Sequence, residues 1–139
     1  MKPTLIWDCS VTVANTFEDE RDEYSLRTLR TVRRSGALVP SIWPLEVVNA
    51  LRFAERKNRI KPSVSRRFLA FLGRLPIQIE DVPVASKDMV ALYESAEKYS
   101  LTSYDASYLR LALMTRLPLA AKDGDLVAAA KKAGVKLFT

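Results

Sequence analysis

Short apolar runs alternate with longer amphipathic stretches along the whole chain, and that rhythm sets the expected architecture. Thr4-Leu5-Ile6-Trp7 has the β-branched, aliphatic and aromatic character of a buried strand, and it stops abruptly on Asp8. A short helix is expected over 10–17, ending in the charged turn Glu18-Asp19-Glu20-Arg21-Asp22. A second helix over 22–35 carries Leu26, Leu29 and Val32 on one side, with Gly36 as its stop signal. Ala37-Leu38-Val39-Pro40 reads as a strand. A third helix is predicted over 42–58, with Ser41 as its cap and Pro44 in its first turn, where proline is tolerated. Lys61-Pro62-Ser63 interrupts the chain before a helix over 64–73 with Phe68, Leu69 and Leu72 as its apolar face.

The second half repeats the rhythm. Ile77-Gln78-Ile79-Glu80 alternates like a strand, helices follow over 86–99 and 102–115, and a short strand is expected over 117–121. A last helix over 123–133 leads to a closing strand over 135–138. Strands alternating with helices imply an α/β fold with a parallel sheet between helical layers. With neither repeat nor linker, residues 1–139 read as a single domain. In such sheets ligands bind beyond the carboxyl ends of the strands, which is where Asp8 falls.

Composition narrows the chemistry. The chain has no histidine, which removes the commonest general base, serine and cysteine triads, and imidazole zinc sites. Its single cysteine, Cys9, gives no disulfide framework, suits a reducing cytoplasm and reads as a small buried filler. Met1-Lys2-Pro3 resembles the charged end of a signal peptide, but Asp8 breaks the apolar run too early, and no stretch approaches the roughly 18 apolar residues of a membrane span. A net charge of +6 fits a polyanionic partner, and equally a small domain kept soluble by charge.

Carboxylates are therefore the candidate chemistry. Ile42, Glu46, Asn49 and Phe53 share one face of the third helix, and Arg52, Arg56 and Arg59 another, expected to face water. Glu46 lies in an almost wholly apolar stretch, so it needs a cation or hydrogen bonds: either a structural salt bridge or a site meets that need. Thr102 and Asp105 match a helix capping box, Asp123 sits where an N-cap would, and Asp8 alone fits a turn. Together, three Asp at strand ends or helix starts and one Glu in an apolar helix form a set whose mutual repulsion a divalent cation relieves. Oxygen ligands alone favour Mg²⁺ or Mn²⁺, which promote phosphoryl chemistry. The Asp-x-Asp of haloacid-dehalogenase-type phosphatases is absent, as are glycine-rich nucleotide loops.

Four segments in order carry a resemblance: Asp8-Cys9-Ser10, Pro40-Ser41-Ile42-Trp43-Pro44-Leu45-Glu46-Val47-Val48-Asn49-Ala50-Leu51, Leu101-Thr102-Ser103-Tyr104-Asp105-Ala106-Ser107-Tyr108-Leu109, and Pro118-Leu119-Ala120-Ala121-Lys122-Asp123-Gly124-Asp125-Leu126. The chain resembles PIN-domain ribonucleases, in particular the VapC type of bacterial and archaeal toxin. The resemblance implies a PIN-like three-layer α/β/α sandwich around a parallel sheet. It also implies a Mg²⁺- or Mn²⁺-dependent endoribonuclease with Asp8, Glu46, Asp105 and Asp123 as catalytic and metal-binding residues. Ser10 matches the family's hydroxyl beside the first Asp, Asn49 would orient Glu46, and Asp125 is an extra carboxylate beside Asp123. Ala121 stands where family members often carry Thr. The implied partners are RNA, a VapB-type antitoxin that blocks the site, and a second copy of the chain in a homodimer.

For the RNA itself, Arg27, Arg30 and Arg34 share a helix face, as do Arg52 and Arg56, and Lys57, Lys61, Arg66 and Arg67 are close in sequence. Such residues position RNA through its phosphates, and they also occur on merely solvated helix faces. Two other functions suit the same residues: a PIN-fold module that binds RNA or protein without cleavage, and a housekeeping RNA-processing nuclease.

Overall fold

The apolar run that ends at Trp7 becomes the innermost part of the sheet. In the computed structural model, which describes residues 2–122 and 124–139, strand β1 (Ile6–Trp7) has β2 (Ala37–Pro40) on one side and β4 (Leu119–Ala120) on the other. β3 (Ile77–Glu80) pairs with β2, so the order is β3-β2-β1-β4 with every strand parallel. Helices connect them: α1 (Cys9–Val13), α2 (Glu23–Ser35), α3 (Trp43–Arg56), α4 (Pro62–Leu72), α5 (Ser86–Tyr99), α6 (Ser103–Thr115) and α7 (Gly124–Ala133).

The order explains the layers. From β1 to β2 to β3 the chain steps one way, and after β3 it returns past two strands to place β4 beside β1. Parallel crossovers are almost always right-handed, so the return carries its helices to the opposite face. Accordingly α6 packs on β1, β2 and β4, with α5 and α7 against it, whereas α1 packs on α2 and α3. This α/β arrangement fits a three-layer sandwich, and it sets a topological switch between β1 and β4. Leu5, Ile6, Trp7, Val39, Leu109 and Leu119 are buried completely in the core. No helix among the described residues is long and apolar enough to cross a membrane.

Several elements differ from their expected limits for local reasons. The helix over 10–17 tightens into a 3₁₀ turn over Ala14–Thr16. There Asn15 Nδ2 donates to the Val11 and Thr12 carbonyls and Thr16 Oγ1 to that of Val13, competing with continued α-helix. Ser41 does not cap α3; the cap position is Ile42, already helical, with no side-chain bond, and Pro44 in the first turn has no N–H to satisfy. The strand over 117–121 contracts to two residues because Pro118 faces β1 without an N–H, offering only its carbonyl to Ile6 N at 2.9 Å. The closing strand over 135–138 is a single bridge between Leu137 and Leu119, since Leu117 N turns onto Thr115 Oγ1.

Asp22 caps α2 by accepting from Ser25 N at 2.8 Å, while Ser25 Oγ accepts from Asp22 N at 3.0 Å. At the other end Gly36 adopts φ 83°, ψ 163°, a conformation essentially restricted to glycine, and its carbonyl accepts from both Thr4 N and Thr4 Oγ1 at 3.2 Å. Replacing Gly36 with Ala is expected to lower the unfolding free energy by about 1–3 kcal/mol, read as a shifted midpoint in urea.

Candidate active site at the strand ends

Asp8 leaves β1 at the switch between β1 and β4. Its N–H donates to the Ala120 carbonyl at 3.0 Å, and its own carbonyl accepts from Thr12 N at 3.1 Å and Thr12 Oγ1 at 3.0 Å. The backbone of Asp8 starts α1, but its carboxylate does not cap that helix and instead accepts a short hydrogen bond from the Ser10 hydroxyl. The carboxylate is thus left facing the crevice rather than closing a turn.

Glu46 reaches the same place from the first turn of α3. No Lys or Arg pairs with it among the described residues; the hydroxyl of Tyr108, a completely buried residue of α6, donates to Glu46 Oε1 at 2.5 Å. That bond, not a salt bridge, is what the apolar stretch provides. Asp105 stands on the first turn of α6. Thr102 alone does the capping, accepting from Asp105 N at 3.1 Å, and among the described residues no hydrogen bond occupies the Asp105 carboxylate. Asp123 lies outside the described residues. Of the residues preceding it in sequence, Lys122 has its Nζ 2.6 Å from Asp22 Oδ2 and 3.3 Å from the Glu20 carbonyl, and the Ala121 carbonyl lies 3.5 Å from Tyr24 Oη.

Two indoles hold α3 against the start of α1. Trp7 and Trp43 stack with ring centroids 5.8 Å apart, and Trp43 Nε1 donates to Thr12 Oγ1 at 3.2 Å, the same hydroxyl that donates to the Asp8 carbonyl. The backbone bearing Asp8 and the helix bearing Glu46 are thereby locked to each other.

Asp8, Ser10, Glu46, Asn49, Phe53 and Asp105 line one open cleft of about 520 Å³, together with Arg59 and the floor residue Cys9. Burial pushes the carboxyls of Asp8, Glu46 and Asp105 above the ordinary carboxylate range. Their mutual repulsion adds to this: Asp105 acts on Asp8, both act on Glu46, and Asp125 of α7 acts on Asp105. The hydroxyls of Ser10 and Tyr108 oppose it. Burial also drives the Cys9 thiol far up, so it is an inert filler. No Lys or Arg pairs with Asp8, Glu46 or Asp105 among the described residues; Arg59 pairs with Asp19 and with Glu20, a fourth carboxylate of the lining. The donor atoms of the cleft carboxylates are all oxygens, which suits a hard divalent cation, although no three acidic side chains among the described residues close into a ligand set by themselves.

Other expected residues fall elsewhere. Asn49 faces the cleft but is exposed and makes no bond to Glu46. None of Arg27, Arg30, Arg34, Arg52 or Arg56 lines it. α2 starts beside Ala121 and Lys122 and ends at Gly36 next to Thr4, at the opposite end of β1, so its arginines lead away from the site. Arg27 donates to the Thr139 carbonyl, Arg30 pairs with Glu23 and Arg52 with Glu55. Arg59, expected on a wet helical face, follows the helix end. Asn58, at φ 57°, turns the chain, and the Arg59 guanidinium lies 4.3 Å above the Phe17 ring while pairing with Asp19 and Glu20. Tyr108 and Trp43 are the contributors that pattern reading passes over, because both look like core.

No family model matches the chain, and no curated protein matches it. Among solved structures, the chain is similar to PAE2754 from Pyrobaculum aerophilum, with a TM-score of 0.69 and 20% identity over 91% of this chain and 84% of that one. At that identity the likeness concerns the fold alone.

Tyr108→Phe removes the donor that favours ionised Glu46, so the Glu46 carboxyl should titrate at higher pH than in the wild type, as followed by carbon-detected NMR, with a stability loss of about 1–2 kcal/mol at neutral pH. The three raised carboxyls keep protons in the folded state that the unfolded chain has released. Metal-free protein should therefore lose stability as pH rises from the ordinary carboxylate range through their raised values. Asp22 acts in the opposite sense: the Lys122 ammonium holds it down at about 2, so its contribution disappears on acidification from 3.8 towards that value. Asp8→Asn should raise the melting temperature of metal-free protein at pH 8 and leave it nearly unchanged at pH 4.

Proposed function

We propose that this chain is a metal-dependent endoribonuclease with a PIN-like fold. The supporting observation is the convergence of Asp8, Glu46 and Asp105 in one cleft beyond the strand ends, with no Lys or Arg paired to them among the described residues. A binding surface gains nothing from three carboxylates whose pKa values are raised by burial and by each other; a site for a divalent cation does.

In this reading Asp8, Glu46, Asp105 and, from the sequence pattern, Asp123 hold Mg²⁺ or Mn²⁺. Bound there, the cation supplies charge neutralisation at the phosphate and lowers the pKa of water. The chain's own residues do the positioning. Ser10 fixes one oxygen of Asp8, Tyr108 fixes one oxygen of Glu46, and Asp105 keeps its carboxylate free. A carboxylate of the cleft not engaged by the cation would accept the proton of the attacking water. The resemblance to VapC-type toxins extends the proposal to a cytoplasmic toxin restrained by a VapB-type antitoxin, and to a homodimer.

Purified protein incubated with total RNA and Mn²⁺ should produce discrete new 5′ ends, lost on adding EDTA and reduced about 10²-fold or more by Asp8→Asn. Undiminished cleavage by Asp8→Asn would remove this cleft from the chemistry. Binding of RNA with no new ends under any divalent cation would favour the non-cleaving module.

A further inference from the structure

A second groove, of about 830 Å³, opens beside the acidic cleft, and the two share Phe17 and Arg59. Its walls carry four cations, Arg21, Arg59, Lys61 and Arg67, against two carboxylates, Glu18 and Asp19, and include Phe68 and Phe71 at a ring separation of 6.4 Å. Arg59 is held by Asp19 and Glu20, but Arg21, Lys61 and Arg67 make no ion pair among the described residues. At the rim of the first cleft Phe53 is 55% exposed, and Lys57 Nζ lies 5.6 Å from its ring centroid. Cleft and groove therefore form one path, acidic at the strand ends and, beyond them, with cations in excess of carboxylates and aromatic side chains in the wall.

We propose, resting on the ribonuclease reading above, that this path seats single-stranded RNA flanking the scissile phosphate. Lys61, Arg67 and Arg21 take successive phosphates, and Phe53 stacks on the base at the cleft mouth. Three unpaired cations along a concave wall match a polyanion. An exposed ring beside them selects an unpaired base, because only an unstacked base offers its face. The basic stripe of α2 lines a separate groove with Arg30, Arg33 and Arg34, and the ring beside Arg27, that of Tyr24, is half-buried, which argues against it as the track.

The test is affinity for 5′-labelled oligouridylate by fluorescence anisotropy across a salt series. Every protein is the full chain carrying Asp8→Asn, so that binding is read without cleavage. Adding Lys61→Glu and Arg67→Glu should weaken binding at least tenfold and reduce the slope of log affinity against log salt by about 1.4, two single-strand phosphate contacts at about 0.7 each. Phe53→Ala should weaken it roughly tenfold with the slope unchanged. Arg33→Glu with Arg34→Glu makes the same charge change at the far end of α2 and should leave the slope intact. All these side chains are exposed, and circular dichroism checks that each variant is folded.

If the Lys61/Arg67 pair behaves like the Arg33/Arg34 pair, the proposal is overturned, and the groove is left to an acidic protein segment. That result can coexist with full nuclease activity of the unmutated chain. Conversely, the expected slopes in a chain that never cuts RNA would uphold the track while removing the nuclease.

Discussion

Everything in the site depends on a two-residue strand being paired along both edges. Ile6 is in register with Leu38 of β2 on one side and Leu119 of β4 on the other, and both residues of β1 are completely buried. A strand so short has little pairing energy of its own, so its position comes from what encloses it: the Trp7–Trp43 contact above, α6 across its face, and the Gly36 carbonyl at its start. Because the chain steps from β1 towards β3 and then returns to β4, the two sides of β1 belong to different halves of the fold. The carboxylate that leaves β1 meets groups from both.

The cost of that meeting is electrostatic, and the fold answers it by orientation rather than by neutralisation. Ser10 and Tyr108 each donate one hydrogen bond to a carboxylate, which fixes the oxygens but leaves the charge in place. Two cations near the cleft are engaged by other carboxylates: Arg59 by Asp19 and Glu20, Lys122 by Asp22. Anionic floor and cationic rim are thus kept apart by side chains that satisfy each other locally. In the proposed function this separation lets a cation enter without displacing a protein ion pair.

Much of this was legible in the chain because it rests on short-range signals. The β-branched and aromatic run before Asp8, the Pro44 helix start and the Gly36 stop all act within a few residues, and α2, α3, α5 and α6 lie close to their expected limits. What escaped depends on groups far apart in sequence. Tyr108 is 62 residues from Glu46, and only the folding of α6 over the sheet shows that its hydroxyl, not a salt bridge, serves the carboxylate. The strands over 37–40 and 77–80 have their expected limits, whereas those over 117–121 and 135–138 are shorter because ladder length there depends on where Pro118 and Leu117 direct their polar groups. The arginine stripes were periodic and therefore conspicuous, but periodicity says nothing about which end of the sheet a helix approaches.

The missing imidazole has a consequence for how this molecule exchanges protons with its surroundings. Histidine is the side chain that ordinarily titrates between about pH 5 and 8, and there is none here. The groups moved upward from the acidic side are those of the cleft, whereas burial carries Cys9, Tyr24 and Tyr108 further into the alkaline range and Lys122 draws Asp22 into the acidic one. With no imidazole to overlap them, the upward-displaced carboxyls of the cleft stand apart from the ordinary carboxylates: a proton count taken above the ordinary carboxylate range, with no label and no substrate, follows the charge state of the strand ends.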